Sequence, residues 1–398
     1  MNSSSSTRPE PAARRPWLAV SAVGLATFSV VTTEMLPVGL LTSIAGSLGT
    51  SMGRAGLMIS LPALLAALFA PLVVMAAGGM DRRRILCGLL ALLVLANLAS
   101  ALAPSLIGLL AARVLVGFCM GGIWAIAGGL AARLVPQASM GLATSIIFGG
   151  VAAASVLGVP LGALIGDFAG WRWAFGGMAG FSALVLALHV AVLPALPATG
   201  SANLRQFSHQ LANRRLQAGL ALTLLLVAGH FMSFTFVRPL LLTVSGFDAQ
   251  WMSALLLAYG IAGIAGNFLA GIIAARRTVP SLAAIAMGLL LAPVLFLSVG
   301  ESPTGGGAVL LVWGLAYGGV SVGLMTWMMQ AAPRAVEIAT ALYVGVFIGI
   351  ALGSWAGGQL VDGWGLHATL WLSGGFAAAA LLLSAAMGLV GRNGPVAA

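Results

Sequence analysis

Residues 17–44 read WLAVSAVGLATFSVVTTEMLPVGLLTSI, an apolar run holding one ionisable side chain, Glu34. A helix that crosses a bilayer takes about 20 apolar residues, and this run supplies them. No basic residue lies between Arg15 and Arg54 to offset the acid. A charged side chain at bilayer depth costs about 2.5–3.5 kcal/mol on insertion scales, so a carboxylate kept there marks an ion or proton site by default.

The rest of the chain extends the pattern. Of 398 residues, 60% are hydrophobic and 7% charged, against about 25% charged in soluble domains. So few polar groups cannot cover a soluble surface of this size, and lipid must do it. Apolar runs between polar or Pro/Gly breaks predict twelve spans: 17–43, 54–79, 84–103, 106–133, 140–166, 172–194, 217–243, 251–275, 279–299, 307–331, 338–362 and 368–390. A polar linker, 197–216, divides them six and six. The expected architecture is an all-α membrane protein of two pseudo-symmetric six-helix bundles, 17–196 and 217–391, with tails 1–16 and 392–398. The first apolar run is too long for a signal-peptide core, so it is expected to stay as span 1.

Charge narrows the function. All 18 basic residues are arginine. Without lysine there is no P-loop and no Schiff-base nucleophile, so any pumping must draw on an ion gradient or a separate subunit. The net charge of +10 would suit nucleic acid, but the arginines stand singly or in short clusters between spans. No nucleic-acid partner is expected; lipid, protons and a small molecule are, with the chain a monomer. With the N-terminus inside, Arg8, Arg14, Arg15, Arg82, Arg83, Arg84, Arg133, Arg205, Arg214, Arg215, Arg276, Arg277, Arg334 and Arg392 fall on the cytoplasmic side. Only Arg54, Arg113, Arg172 and Arg238 do not. The positive-inside rule therefore puts both termini and the central linker in the cytoplasm. Cys87 and Cys119 lie in different spans, and neither is assigned a disulfide. The four histidines are scattered, without the ligand spacing of a metal site, so no cofactor is expected. No catalytic constellation stands out among the spans, and the chain is not expected to be an enzyme.

The two halves repeat. Leu157-Gly158-x-x-x-Gly162 leads to Asp167-x-x-Gly170, and 195 residues later Leu352-Gly353-x-x-x-Gly357 leads to Asp362-x-x-Gly365. The same offset carries Arg82 onto Arg277. A parallel repeat of six-helix halves is one transporter plan, with the substrate between the halves near mid-membrane. Gly345, Gly349, Gly353 and Gly357 fall four apart on one helical face, as do Gly150, Ala154, Gly158, Gly162 and Gly166. Such stripes serve tight static packing, or a smooth surface on which the halves rock. Asp167 and Asp362, at matching span ends, read as solvated caps.

Four motifs resemble those of the major facilitator superfamily, in its twelve-helix drug–proton antiporter branch. They are Gly78-Gly-Met-Asp81-Arg82-Arg-Arg84, Arg113-Val-Leu-Val-Gly117, Gly158-Val-Pro160-Leu-Gly162 and Gly170-Trp-Arg-Trp-Ala-Phe175. The first departs from the family loop in having Arg84 where a glycine is usual, and the third has Val159 between Gly158 and Pro160. Within the branch, Thr33-Glu34-Met-Leu-Pro37-Val-Gly-Leu-Leu41 is similar to span 1 of bacterial sugar and purine-ribonucleoside efflux proteins. Gly121-Gly-Ile-Trp124, Phe234-Thr-Phe-Val-Arg238-Pro239 and Thr326-Trp327 lean toward the nucleoside exporters. The resemblance implies a proton-coupled exporter that works by alternating access.

Glu34 leads the proton-coupling residues and is a substrate ligand as well. Arg113 keeps its proton and needs an acceptor: Glu34, backbone carbonyls of span 1, or a substrate. The motif it belongs to implies a part in coupling. His230 titrates near neutrality in ordinary surroundings and is expected to relay protons, bind a substrate hydroxyl, or sit satisfied in the core. Trp124, Phe231, Phe234, Asn267, Trp327, Gln330 and Tyr343 are the expected pocket lining, since small-molecule sites are mostly apolar with a few placed polar groups. Gating falls to the Asp81–Arg82 loop as a cytoplasmic latch, and to Gly158, Pro160, Gly162 and Gly353. Arg238 is expected to anchor the outer end of span 7. The chain is thus expected to export a nucleoside, sugar or drug by proton antiport; the alternatives are a passive facilitator and a non-transporting membrane receptor.

Overall fold

The computed structural model describes residues 15–76, 79–197, 212–333, 342–343 and 345–393. Among them run twelve long helices: α1 (Pro16–Ser47), α2 (Met52–Ala76), α3 (Arg82–Leu102), α4 (Leu106–Leu134), α5 (Gln137–Ala169), α6 (Trp171–Val192), α7 (Arg214–Phe234), α8 (Ala249–Arg276), α9 (Thr278–Val299), α10 (Pro303–Ala331), α11 (Gly345–Trp364) and α12 (Leu366–Asn393). All but α11 are long and apolar enough to cross a membrane. The described part of α11 includes Gln359 and Asp362, and the start expected for it, 338–341, lies outside the described residues, as do most of the linker and both tails. The protein is all-α, and leucines such as Leu68, Leu95, Leu184 and Leu382 project from its outer surface.

Local chemistry sets the helix ends. Asp81, Ser105, Asn213 and Ser302 cap the starts of α3, α4, α7 and α10 by accepting a backbone N–H, which satisfies donors a helix cannot pair internally. Gly49, Gly170, Gly246 and Gly365 have positive φ; they follow α1, α5, α7 and α11 and turn the chain where a Cβ is disfavoured. Those four connections share one end of the bundle, the far end. The starts of α1 and α7 and the ends of α6 and α12 define the near end. Trp173, Trp364 and Trp371 stand exposed at the far end, as tryptophans do at a membrane–water boundary.

Helix packing repeats with a step of six. In the first half α1 packs on α5 and α6, α2 on α4, and α3 on α4 and α6. In the second, α7 packs on α11 and α12, α8 on α10, and α9 on α10 and α12. The halves meet where α2 lies against α11 and α5 against α8. Both glycine stripes face the first helix of their own half. A Cβ at Gly150, Gly158, Gly162 or Gly166 meets α1, and one at Gly349, Gly353 or Gly357 meets α7. The stripes thus serve tight packing within each half. The inter-half surface of expected rocking is elsewhere: Gly53 on Gly358, and Gly260 on Val156.

Two helices depart from regularity. In α5 a π-turn at Ala154–Gly158 precedes Pro160; proline removes a backbone donor, and such irregular turns absorb the gap. The span expected as 217–243 breaks at Thr235–Phe236, then resumes as Val237–Pro239 and a π-turn at Leu240–Val244. The break turns Arg238 toward the first half.

Candidate functional site

Glu34 lies on α1 and is 3% exposed. Its Oε1 is buried without a hydrogen-bond partner. The turn that carries it is polar on the side facing its own half. Asn97 Nδ2 of α3 donates to Thr33 Oγ1 at 3.0 Å and reaches Ser182 Oγ of α6 at 3.5 Å. Ser182 in turn pairs with Ser29 at 2.8 Å. Thr32 Oγ1 and Asn97 Oδ1 are also buried and unpartnered. Helix packing supplies no complement for these acceptors, so the region around Glu34 has unspent capacity for a ligand or water.

Arg113 of α4 is fully buried. Of its three expected partners the structure brings it the backbone. Both terminal nitrogens donate to the Thr33 carbonyl at 2.9 Å, Nη2 also to the Glu34 carbonyl at 3.1 Å, and Nε to the Met58 carbonyl of α2 at 3.1 Å. The Phe175 ring lies 5.8 Å from the guanidinium carbon. The Glu34 carboxylate is near this charge without forming an ion pair with it.

Across the interface His230 of α7 centres an aromatic cluster. Its ring stacks on Tyr317 with centroids 3.5 Å apart, and Phe231, Phe234, Tyr259 and Trp313 surround it. Trp313 Nε1 donates to His230 Nδ1 at 3.0 Å. An indole nitrogen can only donate, so the ring carries its proton on Nε2, which faces the Tyr259 hydroxyl at 3.5 Å. A second proton on Nδ1 would have to displace Trp313. Tyr317 is half-buried and within electrostatic reach of both Glu34 and Tyr343. Of this cluster, Tyr317 is the member that feels the charge of the first half's acid.

The other expected lining residues spread along the bundle. Trp124 bridges the halves, 5.9 Å from Phe148 and 6.0 Å from Phe347, and its indole N–H has no partner. Tyr343 donates to Ser321 at 3.1 Å. Asn267 is exposed on α8. Trp327 and Gln330 sit in the last turns of α10 at the near end. There Trp327 Nε1 donates to the Arg215 carbonyl and Gln330 accepts from Thr278, both at 2.9 Å. The structure therefore clusters His230, Phe231 and Phe234 with Tyr317, within electrostatic reach of Glu34, and holds Trp327 and Gln330 in near-end packing.

Asp81 caps α3 through the Arg83 N–H at 2.8 Å and accepts the Leu196 N–H at 3.1 Å on both oxygens. The Arg82 N–H donates to the Leu196 carbonyl at 2.8 Å. This loop fastens the segment after α6, inside the first half. Hydrogen bonds join the halves at the far end, and they correct three readings. Asp167 is not a solvated cap, and Arg238 is not an interfacial anchor: Arg238, 3% exposed, pairs with Asp167 at 2.6 Å and donates to the Gly39 carbonyl and Thr42, both at 2.8 Å. Asp362 is not a solvated cap either; it accepts from Ser51 at 2.5 Å and from the Gly53 N–H at 2.9 Å. These partners stand 71 and 309 residues away in sequence, beyond the reach of local pattern.

Sequence reasoning passed over Tyr259, Trp313 and Tyr317. One signal was present: the chain has three tyrosines, all in the second half, and a phenol in lipid wants a polar neighbour. Among the described residues no group of three His, Cys, Asp or Glu could hold a metal ion.

The family model of the Major Facilitator Superfamily matches residues 23–345. The purine ribonucleoside efflux pump NepI of Salmonella paratyphi C is 33% identical over 380 residues, 95% of this chain and 96% of that protein. NepI of Salmonella typhimurium matches equally. The transcription regulatory protein OpdE of Pseudomonas aeruginosa is 34% identical over 375 residues, 93% of this chain and 92% of that protein. In fold, the chain is similar to a bacterial homolog of the human lysosomal transporter Spinster, with a TM-score of 0.75, 18% identity, and coverage of 94% of this chain and 96% of that one.

Proposed function

Because this chain belongs to the Major Facilitator Superfamily and is a membrane transporter rather than an enzyme, we propose that it exports a purine nucleoside in exchange for protons. One observation carries the reading: the Glu34 carboxylate keeps an unpartnered oxygen within electrostatic reach of the half-buried Tyr317, whose ring is backed by His230. A nucleoside presents a flat base and ribose hydroxyls. The base stacks on Tyr317, and a hydroxyl donates to Glu34. The near end, rich in arginine, is the cytoplasmic side of a bacterial inner membrane, so substrate enters while the far-end contacts hold.

A proton on Glu34 removes the charged acceptor. Charge-assisted hydrogen bonds are about twice as strong as neutral ones, so protonation from outside loosens the nucleoside, and the proton then leaves on the cytoplasmic side. Proton and nucleoside thus compete for one oxygen, which yields exchange rather than co-transport. His230 serves the substrate through Tyr317, since its own Nδ1 is occupied by Trp313. The NepI relatives support the purine class over sugars and drugs.

The test uses purified protein in proteoliposomes loaded with labelled inosine, guanosine or adenosine under an imposed pH gradient. Wild type is expected to accelerate efflux with the gradient, and Glu34→Gln to move nucleoside at a rate indifferent to it. Unchanged gradient dependence in Glu34→Gln removes the acid from coupling. Gradient-independent efflux by wild type makes the protein a passive facilitator.

A further inference from the structure

Arg113 satisfies carbonyls that prolines leave open. Proline at position i of a helix lacks the N–H that would bond the carbonyl of i−4. Pro37 lies inside α1, and the carbonyl it frees is that of Thr33. Pro62 lies inside α2, and the carbonyl it frees is that of Met58. Arg113 donates to both: Nη1 and Nη2 to Thr33 at 2.9 Å, Nε to Met58 at 3.1 Å. One side chain on α4 closes a gap in each of two neighbouring helices.

The same face of α4 explains the glycine one turn on. A Cβ at Gly117 would stand 2.6 Å from the Pro62 carbonyl oxygen and 2.8 Å from its Cα. Gly117 lets α4 lie against α2 at the proline, and Arg113, four residues earlier on that face, reaches the carbonyl the proline opened. The spacing of Arg113 and Gly117 matches the spacing of Met58 and Pro62, so the two pairs are complementary.

We infer that Arg113 is a positioning residue: by capping the carbonyls freed by Pro37 and Pro62, it fixes the interrupted turn of α1 that carries Glu34. Its bond from Nη2 to the Glu34 carbonyl at 3.1 Å holds that residue's own backbone. Guanidinium geometry suits the task, because a planar fork serves several fixed acceptors together where an ammonium acts as a single point. The inference rests on the proposed role of Glu34 only for its functional consequence; the hydrogen-bond logic stands apart from it.

The inference predicts rescue by a distant residue. Arg113→Ala leaves buried carbonyls unpaired, and Pro37→Ala or Pro62→Ala, added to it, returns the missing backbone N–H. Full-length protein in lipid nanodiscs is followed by thermal unfolding, by amide hydrogen exchange over residues 33–41, and by the infrared carboxyl band of Glu34, with Glu34→Gln as its blank. Arg113→Ala is expected to lower the unfolding midpoint, raise exchange about tenfold, the scale of an unsatisfied buried carbonyl, and broaden the carboxyl band. Adding Pro37→Ala is expected to reverse at least a third of each change; Pro62→Ala raises the midpoint alone.

If Arg113→Ala yields no folded protein, recovery of a monodisperse product by either proline substitution supports the inference. If neither recovers it, the series is repeated on Arg113→Lys, where rescue by Pro37→Ala supports the inference. Proline substitutions that leave the arginine variants unchanged, or that add to their loss, overturn it. None of these readouts needs a substrate, so failure here differs from failure of the pH-gradient experiment on Glu34→Gln.

Discussion

At the scale of single residues, the sequence exposed what lipid makes costly. Glu34 and Arg113 stood out because a charge in an apolar run demands a reason, and both lie in the interior beside one another. The side chain that joins Glu34 to the second half, Tyr317, carried no such flag. An aromatic residue in an apolar helix looks the same whether it packs or binds, and only its 3.5 Å stack on His230 and its reach to Glu34 give it a place. Base-on-aromatic stacking is worth about 1–3 kcal/mol. Tyr317→Ala is accordingly expected to weaken binding of a purine nucleoside about tenfold or more by isothermal titration calorimetry, with Tyr317→Phe close to wild type. Equal affinities for Tyr317→Ala and wild type would place the base elsewhere.

At the scale of helices, apolar runs located eleven membrane-length elements, and the 195-residue offset correctly paired α5 with α11. The glycine stripes were legible as close contacts, yet their partners were not, since a pattern on one helix does not say which neighbour it faces. The break in α7 also escaped, although Pro239 has no N–H to return to the Thr235 carbonyl, the residue at which the helix is interrupted. Because a Cβ at Gly353 would run into the backbone of Ala228, Gly353→Ala is expected to cost about 1–3 kcal/mol. Gly177, inside α6 with open space around it, is its contrast: Gly177→Ala should gain about 0.5–1 kcal/mol from helix propensity. Thermal unfolding in one detergent checks both, and a Gly353→Ala protein as stable as wild type would show that α7 and α11 separate easily.

At the scale of the whole molecule, the far end is closed by two carboxylates at equivalent positions of the two halves, each reaching into the opposite half. The sequence showed their equivalence but not their partners. Replacing both, as Asp167→Asn with Asp362→Asn, is expected to loosen this closure. Phe236, fully buried there, offers a reporter: in a Phe236→Cys background, labelling by a membrane-impermeant maleimide added from the far side should quicken about tenfold, in keeping with the ~1–3 kcal/mol of a charge-linked hydrogen bond. Labelling as slow as in the carboxylate-bearing parent would mean that backbone contacts alone keep this end shut.

Those two fastenings have a mechanical consequence. A rigid body pinned at two points keeps one degree of freedom, rotation about the line through them. While Asp167 and Asp362 hold, that line runs across the far face and acts as a hinge axis. The 32 residues of α1, at ~1.5 Å of rise each, form a lever arm of nearly 50 Å. A swing of about 10° therefore displaces the opposite end by roughly 8 Å, wide enough to admit a flat heterocycle.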